Sequence, residues 1–371
     1  MAGGGLKVAV LGGGWPGVKH VEGYRGATGF KVVAVADRIA DRRDKLVSAA
    51  GGQTGAAGQP NAVRAYESAE ELLSDKALQL DVVSVCLPND LHAATATAAL
   101  KRGCHVVCEP PPANTAKAAE QMAKAAAKAD RILLYAFQRR FGGAEQAARL
   151  AVEKGYAGAP YHARAAWTRT RGVPVGTGWY PDTAKSGGGA LLDLVVPVLE
   201  LAWSLLGRPK PAAVFAAAHH RFADLTTGDA EDAGVALIRF ENGATLELVA
   251  SWAMNQPPSQ NGTVCRINGD GGAIEVYTPR GPLMYRHFQG NGTAKEQTLT
   301  LPKTVGYVAM MRHLKECVAG RAEPVVGPGE GVALMRVVEA IYKSAATGKS
   351  VDVKLPEVPV TDHAAVDEAA E

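Results

Sequence analysis

The chain has 371 residues, of which 47% are hydrophobic and 21% are charged, and this balance excludes a disordered protein. A net charge of +3 gives no electrostatic reason to expect binding to nucleic acid. The five cysteines are widely spaced and form no CxxC pair, which argues against a disulfide framework and fits a reducing compartment. The apolar runs are far shorter than the ~20 residues that span a bilayer. Because residues 1–7 also resemble neither a signal nor a transit peptide, we expect a cytoplasmic protein without membrane contact.

The first half of the chain alternates apolar, strand-like runs with helical stretches. Strands are predicted at 6–11, 31–36, 81–87, 105–108 and 131–137, and helices at about 16–25, 91–102 and 115–129. The runs lack strict polar alternation, which is typical of strands buried on both faces. The pattern therefore predicts a parallel sheet with right-handed crossovers. The glycine-rich segment 51–60 is expected to be a flexible surface loop.

The second half has a different residue pattern. One strand is predicted at 161–167, and the segment from 212 to 301 is rich in strands with alternating polarity. Asn242 and Gly243 lie between two alternating runs and predict a β-hairpin with a type I′ turn. We expect an antiparallel sheet with one covered face here. Helices are predicted over 193–206, 307–319 and 329–347, and the acidic tail 361–371 is expected to be disordered.

A glycine motif lies between the first strand and its helix. Gly12 permits a tight turn, Gly14 lets the backbone approach a pyrophosphate, and Gly17 lets the helix pack close to the strand. The start of the helix offers free N–H groups to the phosphates. Asp37, at the end of the second strand, is expected to accept hydrogen bonds from ribose hydroxyls and to repel a 2′-phosphate. The motif predicts binding of NAD or NADP, with a preference for NAD that Arg38, a possible partner of the 2′-phosphate, weakens.

Two residues fill the variable positions of this loop. Pro16 removes one possible phosphate donor, although its missing N–H would be unpaired at the start of a helix anyway. Trp15 is a candidate cofactor-binding residue, which either packs over the cofactor or covers the edge of the sheet. The sequence leaves both alternatives open.

Four ordered motifs then point to a family. They occupy residues 87–92 (LPNDLH), 103–110 (GCHVVCEP), 186–193 (SGGGALLD) and 339–348 (EAIYKSAATG). In this combination the chain resembles the Gfo/Idh/MocA oxidoreductases, which include sugar and polyol dehydrogenases. The resemblance implies an α/β fold, with an NAD(P)-binding Rossmann domain over 1–138 and a tail over 356–371. Residues 139–355 would form a C-terminal α/β domain with a predominantly antiparallel open sheet, which supplies substrate contacts and often the oligomer interface.

The resemblance also implies further cofactor contacts. It assigns them to Pro88, Asn89 and His92, and it puts Glu109 beside the nicotinamide end of the site. For His92, packing or capping is the alternative role.

Two prolines stand where the resemblance implies catalytic groups. The family's lysine is expected at position 110 and its histidine at position 197, and this chain has Pro110 and Pro197. Proline carries no titratable group and no N–H donor. Since general acid–base catalysis is worth ~10²–10⁴-fold, ordinary alcohol dehydrogenation requires a substitute. Pro197 is also expected either to mark the beginning of its helix or to kink it.

Three residues are the candidates for that chemistry. Asp193 survives from the family motif, and Tyr180 and Lys185 precede the glycine run in a segment that lines the substrate site of the relatives. A solvated loop is the alternative interpretation for Tyr180 and Lys185. His219 and His220 have no third ligand at suitable spacing, so no metal site is expected.

Two main functions remain in competition at this stage, beside a non-oxidative lyase or glycosidase with transient hydride chemistry, for which Asp193 alone would be the basis. One is an NAD(P)-dependent oxidoreductase that acts on a sugar, polyol or related compound with a non-standard proton donor. The other is a catalytically silent or repurposed relative that binds NAD(P) or a sugar-like ligand as a sensor or structural partner. An uncovered sheet face in the second domain predicts a homo-oligomer in either case.

Overall fold

A computed structural model describes residues 5–55, 62–174, 178–222, 228–277 and 305–356, and the backbone of 284–289 and 294–296. The predicted disordered tail 361–371 lies outside these residues. Two sheets organise the fold, one in each half of the chain.

The first sheet has seven parallel strands. Its strands are β1 (Leu6–Leu11), β2 (Phe30–Ala36), β3 (Gln53–Thr54), β4 (Ala62–Tyr66), β5 (Val82–Val85), β6 (His105–Cys108) and β7 (Leu133–Tyr135). The helices between them are α1 (Trp15–Gly26), α2 (Ala40–Ala49), α3 (Ala69–Ser74), α4 (Asn89–Lys101) and α5 (Ala116–Ala129). The strand order is β3-β4-β2-β1-β5-β6-β7. The order therefore reverses between β1 and β5, and such a switch point opens a crevice at the carboxyl ends of the strands.

The strands predicted in this half are confirmed, but four elements were not predicted. These are α2, β3, β4 and α3. The short strand β3 also lies inside the segment that was expected to be a loop, whose residues 56–60 fall outside the described part of the chain.

The second sheet has nine strands. They are β8 (Pro160–Thr168), β9 (Pro211–His219), β10 (Ala233–Phe240), β11 (Thr245–Ser251), β12 (Gly262–Gly269), β13 (Gly272–Tyr277), β14 (Met284–Gln289), β15 (Ala294–Glu296) and β16 (Val351–Asp352). Their order is β15-β14-β13-β12-β8-β11-β10-β9-β16, and the pairs are antiparallel except β8 with β11. The α/β fold class with a Rossmann sheet and a mostly antiparallel second sheet is thus confirmed.

Helices from the second half cover one face of this sheet and also reach back to the first. They are α6 (Gly143–Glu153), α7 (Thr183–Ser186), α8 (Ala190–Asp193), α9 (Val195–Leu205), α10 (Gly306–Val318) and α11 (Pro328–Thr347). Helix α9 packs on β8, β11 and β12, whereas α10 packs on α1 and α11 packs on both α5 and β9. Met310, Met311 and Leu314 of α10 share a hydrophobic core with Val8 and Val21 of the first domain.

The hairpin at Asn242 forms as predicted, but its turn type was predicted wrongly. The Gly243 N–H donates to the Phe240 carbonyl at 3.0 Å, and the Phe240 N–H donates to the Ala244 carbonyl at 2.9 Å. Gly243 has a φ of +86°, while Asn242 keeps a negative φ. A three-residue loop with glycine in the left-handed position therefore replaces the two-residue type I′ turn.

The helix predicted over 193–206 is interrupted at its start. Leu194 separates α8 from α9, and the two segments Thr183–Asp193 and Val195–Leu205 meet at 45°. Pro197 is the third residue of α9, where its missing N–H has no intrahelical partner to lose. The proline therefore lies in the first turn of a helix and does not kink its interior. Among the described residues, no single helix is long and apolar enough to cross a membrane. This bent pair of segments is, by length and composition alone.

Candidate active-site cleft

A cleft of about 840 Å³ opens at the switch point of the first sheet. Most of the residues predicted to form the site line it: Gly12, Gly14, Trp15, Asp37, Arg38, Pro88, Asn89, His92, Glu109, Tyr180 and Lys185. Gly17 and Asp193 are not among the lining residues. The cleft thus joins the glycine loop to the segment that precedes the second glycine run.

The glycine loop is shaped by two close backbone approaches. Gly12 has a φ of +98°, and a Cβ there would lie 2.1 Å from the Cys86 carbonyl oxygen. A Cβ on Gly17 would lie 1.9 Å from the Gly12 carbonyl oxygen, so α1 can begin this close to β1 only with glycine. At Gly14 a Cβ would make only an ordinary van der Waals contact, 3.6 Å from the Pro16 Cδ, so no close approach within the chain requires glycine there. Gly17 therefore acts through packing, while Gly12 and Gly14 also line the cleft.

Asp37 is held by the loop that it faces. One carboxylate oxygen accepts the Gly13 N–H at 2.7 Å, and the other accepts the Ile39 N–H at 2.8 Å. Arg43 donates to the Asp37 backbone carbonyl at 2.7 Å. The carboxylate is therefore fixed at the end of β2 before any ligand arrives, and Arg38 lines the same part of the cleft.

Trp15 projects over the cleft and is 63% exposed. Its ring makes an edge contact with Tyr307 of α10, with centroids 6.2 Å apart. Trp15 thus contacts a helix from the second half of the chain, and no local pattern predicts this contact.

The residues that follow β5 connect the two halves of the molecule. The Asn89 side-chain amide donates to the Ser186 carbonyl at 2.7 Å. The two ring nitrogens of His92 lie 2.9 Å from the Pro111 carbonyl and 2.8 Å from the Leu87 carbonyl, and burial lowers the pKa of this histidine. His92 therefore braces the loop after β6, which fits the packing role left open for it.

A buried partner of Glu109 was missed by sequence reasoning. The Nε2 atom of His20 lies 2.8 Å from a Glu109 carboxylate oxygen, and its Nδ1 atom lies 2.9 Å from the Ser84 hydroxyl. Tyr24 reaches the same Ser84 oxygen at 2.8 Å. One signal was present, because His20 lies three residues after Gly17 on the apolar face of α1, and a buried polar side chain requires a partner.

Asp193 lies behind the lining residues, where it accepts the indole N–H of Trp252 at 2.8 Å. Burial raises the pKa of Asp193, while this bond and the Arg169 charge oppose the rise. Tyr180 stacks on Trp179 with centroids 4.0 Å apart and contacts the Trp252 ring edge-on at 6.5 Å. Burial, and then the negative charges of Asp193 and Glu109, raise the pKa of Tyr180 above its usual range. Tyr180 therefore stays protonated at neutral pH and can donate a hydrogen bond.

Lys185 lies at the rim of the cleft with its side chain 52% exposed. Its ammonium is 2.6 Å from a carboxylate oxygen of Asp182, and this bond lowers the pKa of Asp182. Within the described ranges, no group of three or more histidine, cysteine or acidic side chains is placed to hold a metal ion.

A second missed residue, Glu231, holds the glycine run that leads to Asp193. Its carboxylate accepts the N–H groups of Gly189 and Leu191, both at 2.9 Å, and the Tyr342 hydroxyl at 2.8 Å. A Cβ on Gly189 would lie 2.0 Å from the Glu231 carbonyl oxygen. The close approach explains why glycine is required there.

A glycine loop at the switch point of a parallel sheet, closed by a second α/β domain, defines a two-domain dinucleotide-binding protein of the Rossmann class. The model of an oxidoreductase family with an NAD-binding Rossmann fold, GFO/IDH/MocA, matches residues 6–137, and the model of the GFO/IDH/MocA C-terminal domain matches 146–275. The chain belongs to the Gfo/Idh/MocA family, as its motifs predicted.

Several known proteins are similar over nearly the whole chain. D-glucoside 3-dehydrogenase of Escherichia coli is 28% identical over 363 residues, covering 94% of this chain and 97% of that protein. The structure of aldose-aldose oxidoreductase from Caulobacter crescentus in complex with glycerol has a TM-score of 0.81 and 26% identity, covering 94% of this chain and 100% of that one. The structure of GenD2 from gentamicin A biosynthesis in complex with NAD has a TM-score of 0.79 and 25% identity, covering 95% and 98%.

Proposed function

We propose that this protein is an NAD(P)-dependent oxidoreductase that acts on a hydroxyl or carbonyl group of a sugar, polyol or related small molecule. The observation that carries the proposal is the single cleft that joins the glycine loop, Glu109 and Tyr180. The names of the similar proteins, a glucoside dehydrogenase and an aldose oxidoreductase among them, support the substrate class.

The residues of the cleft fit a nicotinamide dinucleotide. The start of α1 would bind the pyrophosphate, and Asp37 the adenosine ribose. When bound, the nicotinamide would take up or give up a hydride. We propose NAD as the preferred cofactor because the fixed Asp37 carboxylate repels a 2′-phosphate, and the Arg38 guanidinium reduces that preference.

The substrate would lie between the nicotinamide end and Tyr180. The protonated Tyr180 hydroxyl is a donor for the substrate oxygen, and Lys185 can turn from Asp182 toward the same space. Asp193 would act without touching the substrate. It would hold the Trp252 indole by a hydrogen bond, and its negative charge would keep Tyr180 protonated. These three residues are the proposed catalytic set, with Tyr180 or Lys185 as the non-standard proton donor.

A second candidate function is a silent relative that binds NAD(P) or a sugar-like ligand without turnover. The observation that favours it is the pair of prolines, Pro110 and Pro197, which bring no titratable group to the positions of the family's lysine and histidine.

Fluorescence titration with NADH and NADPH, followed by a panel of sugars and polyols, tests both candidates. Binding with turnover supports the oxidoreductase. Binding without turnover of any compound favours the silent relative. If neither cofactor binds, the oxidoreductase and the NAD(P)-binding form of the silent relative are both refuted.

A further inference from the structure

A chain of polar side chains runs from the cleft into the core. Glu109 begins it, with a side chain that is 13% exposed and lines the cleft. Behind it His20 and Ser84 are fully buried, and Tyr24 is 1% exposed. The successive distances are 2.8, 2.9 and 2.8 Å. This series of hydrogen-bonded side chains therefore begins at Glu109, which a ligand can contact, and ends at Tyr24, which solvent does not reach.

The hydrogen atoms of this chain can be assigned from the donors and acceptors. An ionised Glu109 only accepts, so the hydrogen of a neutral His20 ring lies on Nε2. The Nδ1 atom then accepts from Ser84, whose oxygen accepts from Tyr24. The Nε2–H of His20 therefore donates to the Glu109 carboxylate over 2.8 Å and fixes it from behind the cleft.

The other titratable groups around this pair are neutral at neutral pH. Those that feel the charge of Glu109 are Cys86, His92, Cys108, Tyr180 and Tyr307. Burial raises the pKa of the two thiols and the two phenols and lowers that of His92. The Tyr307 ring lies 5.4 Å from the His20 ring, and its hydroxyl is buried without a hydrogen-bond partner. None of these five neighbours therefore compensates the charge of Glu109, whereas His20 is in direct contact with it.

We propose that Glu109 accepts the proton of the substrate hydroxyl during oxidation, and that His20 is a positioning residue that holds the Glu109 carboxylate from behind the cleft. The inference rests on the proposed function. A bound NAD(P)⁺ would take up the hydride released when the C–H bond of the substrate breaks. The O–H bond breaks, its proton passes to Glu109, and the carbonyl forms. Reduction follows the same path in reverse.

This assignment moves the transferred proton from the facing segment to Glu109 and leaves Tyr180 as a hydrogen-bond donor. Tyr180, kept protonated, donates a hydrogen bond to the oxygen that Glu109 deprotonates. Lys185 is already paired with Asp182 at the rim. Glu109 is thus the acceptor that replaces the groups missing at Pro110 and Pro197.

Two variants and a matched control test the roles proposed for Glu109 and His20. Glu109→Gln keeps the size of the side chain and removes the proton acceptor, and His20→Asn removes the ring. His105→Asn is the control, because His105 is a histidine of the same sheet whose Nδ1 accepts the Ile132 N–H at 3.0 Å, at the end of β6 away from the cleft. The measurements are kcat, NADH affinity, and the imidazole ¹⁵N signals of His20.

We expect kcat to fall ~100-fold or more in Glu109→Gln and His20→Asn, with NADH affinity retained, and no change in His105→Asn. A normal kcat in His20→Asn would overturn the proposal. If that variant does not fold, Ser84→Ala, which removes only the Nδ1 partner, should lower kcat with NADH affinity retained, and an unchanged kcat counts against the pair.

The ¹⁵N signals separate this inference from the proposed function. A wild-type protein that binds NADH and oxidises no sugar refutes the oxidoreductase, whereas the His20 signals still decide the pair. A hydrogen on Nε2, with a ¹⁵N signal that changes in Glu109→Gln, supports a carboxylate held by His20. An Nε2 atom without a hydrogen, or a signal that is unchanged in Glu109→Gln, refutes it.

Discussion

The Tyr180 hydroxyl is a donor because its surroundings oppose ionisation. Its ring is fixed by Trp179 and Trp252, and the nearby negative charges of Asp193 and Glu109 add to the effect of burial. A group of this kind contributes to a reaction through its hydrogen atom, whereas a carboxylate contributes as an acceptor. The cleft contains both kinds.

Replacing Tyr180 with phenylalanine should separate these contributions. Tyr180→Phe keeps the stacked ring and removes the hydroxyl, so we expect turnover to fall by ~100-fold while NADH affinity is retained. Tyr161→Phe, at a 58% exposed tyrosine on β8, is the control. Steady-state kinetics measures the effect, and unchanged turnover in both Tyr180→Phe and Lys185→Ala would refute their proposed role.

Cofactor preference should depend on Asp37. In Asp37→Ala the repulsion of a 2′-phosphate is lost, so the ratio of NADPH to NADH affinity should rise by about tenfold, or ~1.4 kcal/mol. NADH affinity should also weaken, because the Gly13 N–H loses its acceptor. Fluorescence titration measures both effects, with the exposed Asp41→Ala as the control. An unchanged ratio would mean that the ribose is held elsewhere.

At the level of single residues, the sequence predicted the parts of the site that are local. The glycine loop and Asp37 follow from one strand–helix unit, so their spacing was visible. His20 and Glu109 are 89 residues apart, and Trp252 and Asp193 are 59 apart, so neither contact could be derived from a local pattern. Glu231 and Tyr342, 111 residues apart, were missed for the same reason.

Among the secondary-structure elements, too, those with a clear local sequence pattern were predicted and the others were missed. Buried strands such as β1 and β6 were predicted within a residue because their apolar runs are continuous. Helix α2 was missed because it is largely polar, with only Leu46 and Val47 buried. The hairpin was placed correctly, but its loop length depends on the register of β10 against β11, which residue types alone did not determine.

The segment from Gly187 to Asp193 owes its shape to one buried carboxylate. Glu231 has three hydrogen-bond donors, and Tyr342 is the one that a mutation removes without changing the backbone. We expect Tyr342→Phe to lower the free energy of unfolding by ~1–3 kcal/mol, because a buried charged acceptor loses a partner. Urea unfolding measures this loss, and Tyr161→Phe should show none. Equal stability of the two variants would mean that the two N–H groups suffice.

On the scale of the whole molecule, one face of the second sheet carries exposed apolar side chains. Leu237 is 49% exposed and pairs across strands with Phe215, which is 52% exposed, while Val235 of the same strand is 42% exposed. These three side chains alternate with the buried positions of β9 and β10. An apolar face of this kind is rarely left to solvent, which supports the prediction of a homo-oligomer.

A charge on that face should therefore disrupt assembly. We expect Leu237→Glu to shift the protein from an oligomer to monomers in light scattering coupled to size-exclusion chromatography. Leu150→Glu, at a leucine of α6 that is 45% exposed and lies off the sheet, should leave the mass unchanged. A wild-type monomer would refute the prediction outright.

The contact between α10 and α1 bears on how the protein is made. Because Met310, Met311 and Leu314 complete a core that begins at Val8, the first domain leaves the ribosome with part of its apolar surface uncovered. That surface stays open while the ribosome adds roughly 180 further residues, which takes ~10–40 s at typical translation rates. During this interval the uncovered apolar surface makes the nascent chain more prone to aggregation. Synonymous codons that slow translation between the two halves would prolong the exposure.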